Sequence, residues 1–393
     1  MGNCYSNELR SIDQGEQHGL QNMIIDAGDE ALNEERKEIL KNARIALKSK
    51  ISCNISSLGE LSTVEAFTDQ IPPKYQSTMS KQYPDELPEE ELEEYVEYDP
   101  IKLSNGNFYW GYWDNDLLFS GYGKLLLTNE HAYITGYFSK GNLKQGIKLN
   151  NDNSIYEGQF NNFKYNGRGK LTYNDGLIYE GDFVDGIREG SGSLLWPDGT
   201  KYWGSFRKDK IEGEGEFIWS NGYYYKGGIK NGIFNGKGQL KGSNGSRYNG
   251  EFLKGWYHGK GKFSWGDTGS NSNNNGNNKH KNNYQESYTG QYVKGKKQGK
   301  GQYQFENGDL FIGNFENNVA NGKGEYETNW EIITGLWENG EIKEKTNVSK
   351  KDDVDAHEIN SSYNNNQTLA VHAKVEDIDI RNMKYLNFEL YND

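Results

Sequence analysis

A tyrosine returns at a fixed interval through the middle of this chain. Tyr156, Tyr179, Tyr202, Tyr225 and Tyr248 are spaced by 23 residues, and each opens the pattern Y-x-G-x-[F/I]. A G-x-G follows, then a Leu or aromatic pair, then a turn, as in YEGQFNNFKYNGRGKLTYNDG and YEGDFVDGIREGSGSLLWPDG. The pattern resumes at Tyr288 and Phe311, is weaker at Tyr109 and Ile134, and closes on a fragment at Ile333. Self-similarity at such a period is the mark of a repeat architecture, in which each unit buries its apolar face only against its neighbours.

Each unit reads as a β-hairpin. Alternation in YEGDF puts Tyr179, Gly181 and Phe183 on one face and Glu180 and Asp182 on the other. In GSGSLLW it puts Gly190 and Gly192 on a face with Leu194 and Trp196. Glycine weakens a strand unless something large needs the vacated space, so rings lying over the glycines explain why both residue types are abundant together. The chain holds 49 Gly and 13% aromatic residues, against only 33% hydrophobic residues and 6 Pro. Its mean hydropathy is −0.97. Those values exclude a Leu/Ile/Val-cored α/β enzyme and a helical bundle. Asn174-Asp175-Gly176, Asp198-Gly199, Asn221-Gly222, Asn244-Gly245 and Asn307-Gly308 join the units and read as two-residue hairpin turns. The expectation is an all-β, elongated, single-layer antiparallel meander over residues 101–343.

This periodic Y-x-G-x-F…G-x-G-x-L/F-x-Y/W…N/D-G resembles the MORN repeat (membrane occupation and recognition nexus) over about residues 109–340. The resemblance implies a scaffold at membrane–cytoskeleton junctions, phosphoinositide binding and self-association. Two units depart from the pattern: Gly146 in the second unit lacks a G-x-G partner, and the last unit is truncated.

The chain opens Met1-Gly2-Asn3-Cys4-Tyr5-Ser6, which matches M-G-x-x-x-[ST] for myristoylation of Gly2. One myristoyl chain holds a membrane only marginally, so stable anchoring needs a second signal. Cys4 is placed to supply it as a palmitoylation site. No run of the chain reaches the 18 or so apolar residues of a membrane span, and no secretory signal is present. Cys4 and Cys53 cannot make a disulfide framework. These readings place the chain at the cytosolic face of the plasma membrane or an inner membrane system.

The formal charge of −13 is unevenly spread. Residues 101–343 carry 29 Lys+Arg and 26 Asp+Glu, whereas residues 226–300 alone carry 14 basic and three acidic side chains. The overall acidity argues against nucleic acid as a partner. The middle residue of G-x-G is Arg168, Ser191, Glu214, Lys237, Lys260, Lys300 and Lys323 in the clear units, five of seven basic. It faces away from the ring-and-glycine side. With Lys254 and Lys262 this row is the candidate contact for anionic lipid or a protein partner, since each cation near an anionic bilayer adds about 1 kcal/mol. The alternatives are an ordinary solvated face with partners such as Glu157 and Glu251, or a surface that pairs with the acidic run Asp85–Asp99.

In the flanks, residues 1–25 are expected to be disordered. Residues 26–50 read as an amphipathic helix with Leu32, Ile39 and Ala43 on one side. Residues 51–100 read as a linker that includes the acidic run. An Asn-rich insert at about 267–285 lengthens one inter-repeat turn, and residues 344–393 are expected to be a disordered tail with a short strand or docking motif. The six histidines are scattered without metal-ligand spacing, and no phosphate-loop motif occurs. No cofactor, metal or catalytic residue is expected. The leading function is a non-enzymatic, acyl-anchored scaffold. The alternatives are a phosphoinositide-binding module and a regulatory subunit of an enzyme acting in trans.

Overall fold

The computed structural model describes residues 96–103, 105–114, 116–266 and 284–351, with residues 73 and 370–371. Gly2, Cys4, the 26–50 helix, most of the acidic run, the Asn-rich insert through residue 283 and most of the tail lie outside the described residues. The chain divides into two compact units, Met1–Gly190 and Ser191–Asp393. The first holds β1 (Val96–Lys102), β2 (Phe108–Trp113), β3 (Phe119–Leu127), β4 (Ala132–Ser139), β5 (Asn142–Leu149), β6 (Ile155–Asn161), β7 (Lys164–Thr172), β8 (Ile178–Val184) and the start of β9 (Ile187–Leu195). The second holds β10 (Lys201–Arg207), β11 (Lys210–Ile218), β12 (Tyr224–Lys230), β13 (Ile233–Lys241), β14 (Arg247–Leu253) and β15 (Trp256–Ser264). It continues with β16 (Ser287–Val293), β17 (Lys296–Gln304), β18 (Leu310–Glu316), β19 (Val319–Glu327), β20 (Glu331–Glu338) and β21 (Glu341–Lys350).

Chain neighbours pair antiparallel in a meander of 21 strands that does not close. The sheet runs past the expected bounds of the array. Strand β1 begins inside the expected linker, and β21 ends at Lys350, seven residues into the expected disordered tail.

The rings show how so polar a sheet finds a core. Tyr156 and Phe160 lie four residues apart on β6, a separation of about 13 Å in a straight strand. Their centroids are 4.9 Å apart, edge to face. The Tyr156 ring leans along the strand over Gly158, and the strand itself is creased before Phe160, where the β6–β7 register slips between Gly158 and Phe160. The same ring approach recurs at Tyr179–Phe183 (5.0 Å), Tyr202–Phe206 (5.4 Å), Tyr248–Phe252 (5.1 Å) and Tyr288–Tyr292 (5.2 Å). Within each unit the sheet bends at these positions over its buried rings, which make a core without a second layer. Each edge-to-face pair adds about 0.5–1.5 kcal/mol beyond its burial.

The two glycines of G-x-G do different jobs, which corrects the expectation that both vacate space for rings. A side chain at the second, Gly169, would strike the Tyr156 ring, and one at Gly261 would strike Tyr248. The first takes a left-handed backbone, φ +73 at Gly167 and +81 at Gly190, and a Cβ there would meet Gln159 or Asp182 on the outer face. It shapes the bend. The turns also differ from expectation. The Asn174-Asp175-Gly176 junction is a three-residue loop: Gly176 donates to Tyr173 O, Tyr173 N to Leu177 O, and Asp175 Oδ1 accepts from Leu177 N. The tight two-residue turns lie inside the units, as at Asn231-Gly232, where both central φ values are positive.

Candidate binding surface

The crease sets what faces outward. Each opening tyrosine turns its hydroxyl back onto the bend: Tyr156 donates to Gln159 O (2.8 Å), Tyr179 to Asp182 O (2.9 Å), Tyr225 to Gly228 O (2.7 Å) and Tyr248 to Glu251 O (2.9 Å). Burial pushes the phenols of Tyr109, Tyr156 and Tyr225 up from their ordinary value, and that of Tyr165 up to about 12. With the rings locked inward, the residue after each central glycine sits on the outside of the bend. In two repeats its side chain braces the facing strand: Gln159 Oε1 accepts from Arg168 N (3.1 Å), and Glu251 Oε1 from Lys260 N (3.2 Å). Sequence reading named Glu251 as a partner of the basic row but passed over Gln159, because only the fold line shows why a polar group is needed there.

In the first unit Arg168, on β7, stands opposite Asp182 and pairs with it, Nε to Oδ1 at 3.6 Å. That cation is already partnered. In the second unit the expected row does assemble. Lys237 stands opposite Glu251, Lys260 opposite Gln291, Lys300 opposite Asn314 and Lys323 opposite Leu336. All four lysines are exposed and, among the described residues, none has a carboxylate within ion-pair reach. They recur on alternate strands, about 10 Å apart. Glu251 is already engaged by the Lys260 amide. Lys262, on β15, faces Asn249 on one side and Thr289 on the other. Lys254 is not on the row: it sits at the hairpin tip between β14 and β15.

The outer face carries a further charge feature. Lys241 and Arg247 are direct cross-strand partners on β13 and β14, and like charges placed opposite one another are destabilising unless something anionic lies over them. A shallow open depression of about 410 Å³ lies between neighbouring bends, lined by Glu251, His258, Lys260, Gln291 and Tyr292. Two cations point inward instead. Arg188 lies over the Tyr179 ring at 5.7 Å, and Lys297 over Trp265 at 5.1 Å and Tyr288 at 5.6 Å. Among the described residues no three His, Cys, Asp or Glu side chains are grouped to hold a metal ion, and no helix is long and apolar enough to cross a membrane.

Seven MORN repeats are found, at residues 156–178, 179–201, 202–222, 225–247, 248–270, 288–310 and 311–329. They coincide with the seven clear units. No curated protein matches the chain. Two solved structures align with it at low scores. The TCP domain of Drosophila melanogaster SAS-4 (dCPAP), in complex with a proline-rich motif, has 10% identity and a TM-score of 0.24, covering 50% of this chain and 94% of that one. A mutant TCP10 domain of Danio rerio CPAP has 10% identity and a TM-score of 0.20, covering 64% and 99%. At such scores these likenesses carry no argument about this chain.

Proposed function

We propose that this protein is a non-enzymatic scaffold held at the cytosolic face of a membrane by acyl chains on Gly2 and Cys4, with its MORN sheet presenting a binding surface there. The observation that carries the reading is the division of labour in the repeats. Inward positions are consumed by the ring core, and outward positions are free to vary without cost to the fold. A sheet of this kind offers a surface whose outward positions recur from unit to unit. The Gly2/Cys4 motif supplies the address. Replacing Gly2 by Ala sets a methyl group beside the α-amine that myristoyl transfer must reach unhindered, and so blocks the transfer. Gly2→Ala is expected to move the protein from membrane to soluble fractions of cells, and unchanged retention would reject the anchor.

A second reading is favoured by the four unpaired lysines and the Lys241–Arg247 pair. In it the outer face of the second unit binds an anionic phosphate group, as in a phosphoinositide. Headgroup-dependent binding that falls when Lys237, Lys260 and Lys300 are exchanged for Gln supports it, and binding indifferent to those changes removes it.

A further inference from the structure

Successive hairpin tips in the second unit share a chemistry that neither the ring core nor the lysine row explains. Four consecutive tips, Arg207–Lys210, Lys230–Ile233, Leu253–Trp256 and Val293–Lys296, carry seven cations and one acid, Asp209. Within them Leu253, Trp256 and Val293 are exposed, at 44%, 36% and 45%. Leu253 stands directly opposite Trp256, and the Trp256 indole lies over the next tip, 3.0 Å from where a Cβ on Gly295 would be. Ile233 reaches the Gly255 tip in the same way. The tips are knitted into a continuous row by hydrogen bonds, Gly232 N to Ile211 O, Gly255 N to Phe234 O and Gly295 N to Tyr257 O.

The backbone adds an independent observation. Lys208, Lys254 and Lys294 hold φ of +49, +50 and +51 at the first central position of two-residue turns. Asn, Asp or Gly takes that conformation at lower cost than Lys. Strained residues persist where the position serves something outside the fold. Apolar side chains including a tryptophan, set among seven cations and a single acid, match the bilayer interface, where indole rings settle and cations meet anionic headgroups.

We propose that this row of hairpin tips, centred on Leu253, Trp256 and Val293, inserts into the interface of an anionic lipid bilayer and fixes which side of the repeat sheet faces the membrane. The proposal rests on the membrane reading given above, but its test is separate. Full-length protein carrying Gly2→Ala and Cys4→Ser, and so no acyl chain, is floated with phosphatidylcholine vesicles with and without phosphatidylserine. It should float only with the anionic vesicles. Lys254→Gln, Lys294→Gln and Lys296→Gln together should lower partitioning about 100-fold, at about fivefold for each lysine. Leu253→Ser with Val293→Ser, at unchanged charge, should lower it about tenfold. The same triple exchange at Lys237, Lys260 and Lys300 should cost less than the tip triple. Trp256→Phe should keep binding, and the Trp256 emission, taken as the difference from this variant, should be quenched by brominated lipids. Circular dichroism checks that each variant is folded.

Serine variants that bind as the parent does, an unquenched Trp256, or an unacylated protein that ignores anionic vesicles would each overturn the proposal. So would tip variants that lose a protein partner while vesicle binding stays unchanged, which would assign the row to a protein. Acylated protein that stays on membranes in cells while the vesicle test fails rejects the tip row and keeps the anchor. Vesicle binding by the tips, with Gly2→Ala unchanged in cells, does the reverse.

Discussion

Gly261→Ala isolates the relation on which the repeat depends. Gly261 stands opposite Gly250 across β14 and β15, and its backbone lies outside the left-handed region, so alanine adopts the conformation without strain. What it cannot do is fit. An added Cβ would stand 2.6 Å from Cζ and Cε2 of the Tyr248 ring, and to restore contact distance the ring must retreat by roughly 1 Å, past the reach of a hydrogen bond. The Tyr248 hydroxyl now donates to Glu251 O at 2.9 Å, and Tyr248 also meets Phe252 edge to face at 5.1 Å. Overpacking costs about 1–3 kcal/mol, and a lost hydrogen bond adds about 1 kcal/mol. The expected loss is thus about 2–4 kcal/mol. At a urea slope of about 1–3 kcal/mol per molar, the midpoint of unfolding should fall by about 1 M or more. Circular dichroism and tryptophan emission report it together. Trimming the ring with Tyr248→Leu should make the double variant less than additive by about 1 kcal/mol. A Gly261→Ala protein within about 0.5 kcal/mol of the parent, or an additive double variant, would refute the account of ring over glycine.

Two further outcomes follow from the core. Lys297 is fully buried, at 0% exposure, with its ammonium over Trp265 and Tyr288. Lys297→Met keeps the stem and removes the ammonium seated over the two rings, so chemical unfolding should find it less stable than the parent by about 1–2 kcal/mol. A variant as stable as the parent would show that the stem alone packs against the rings. Tyr165, with its phenol raised to about 12, predicts an alkaline transition. The unfolded phenol has a pKa of about 10, so from there upward the unfolded chain binds fewer protons than the folded one. The stability contributed by the protonated phenol is whole below pH of about 10 and drains away as pH rises toward about 12. Tyrosinate absorbance should rise for the buried rings only together with loss of the β-sheet signal, and a smooth titration near pH of about 10 with the sheet intact would count against buried rings.

The period, the hairpin and the coupling of rings to glycines were all legible in the residues, since an alternating pattern reports which side chains share a face. The crease was not. Tyr156, Gly158 and Phe160 have the parity of one face whether the strand is straight or folded, and only the register slip between Gly158 and Phe160 tells the cases apart. The same limit hid the unequal tasks of the G-x-G glycines, because a vacancy for a ring and a left-handed φ are both written as Gly. It also exchanged the two turn types. Asn-Gly and Asp-Gly suit a three-residue loop and a tight turn alike, and the choice is made by register: Lys230 opposite Ile233 leaves two residues between them, while Tyr173 N to Leu177 O leaves three. Of the candidate surface, the lysine row could be counted from G-x-G positions. The bracing role and the tip row could not, as both depend on which positions the bend throws outward.

The site chemistry follows from that bend. A flat sheet would have to spend one face on a partner layer and would leave the other as a uniform plane. A creased sheet buries its rings in its own fold and leaves two exposed features of different curvature, the outside of the bend and the row of tips. Repetition then fixes the spacing of whatever is placed on either feature, about 10 Å from unit to unit, while each unit remains free to choose its side chain. In the first unit the bend position Arg168 is spent on Asp182. In the second, Lys237, Lys260, Lys300 and Lys323 are left open, and three tips carry lysine where asparagine would fold more cheaply, as the Lys140 tip of the first unit also does. Fold stability accounts for none of these choices, since the ring core lies on the other side of the backbone. On the proposed reading, an anionic ligand extended over several units would gain from a charge repeated at that interval.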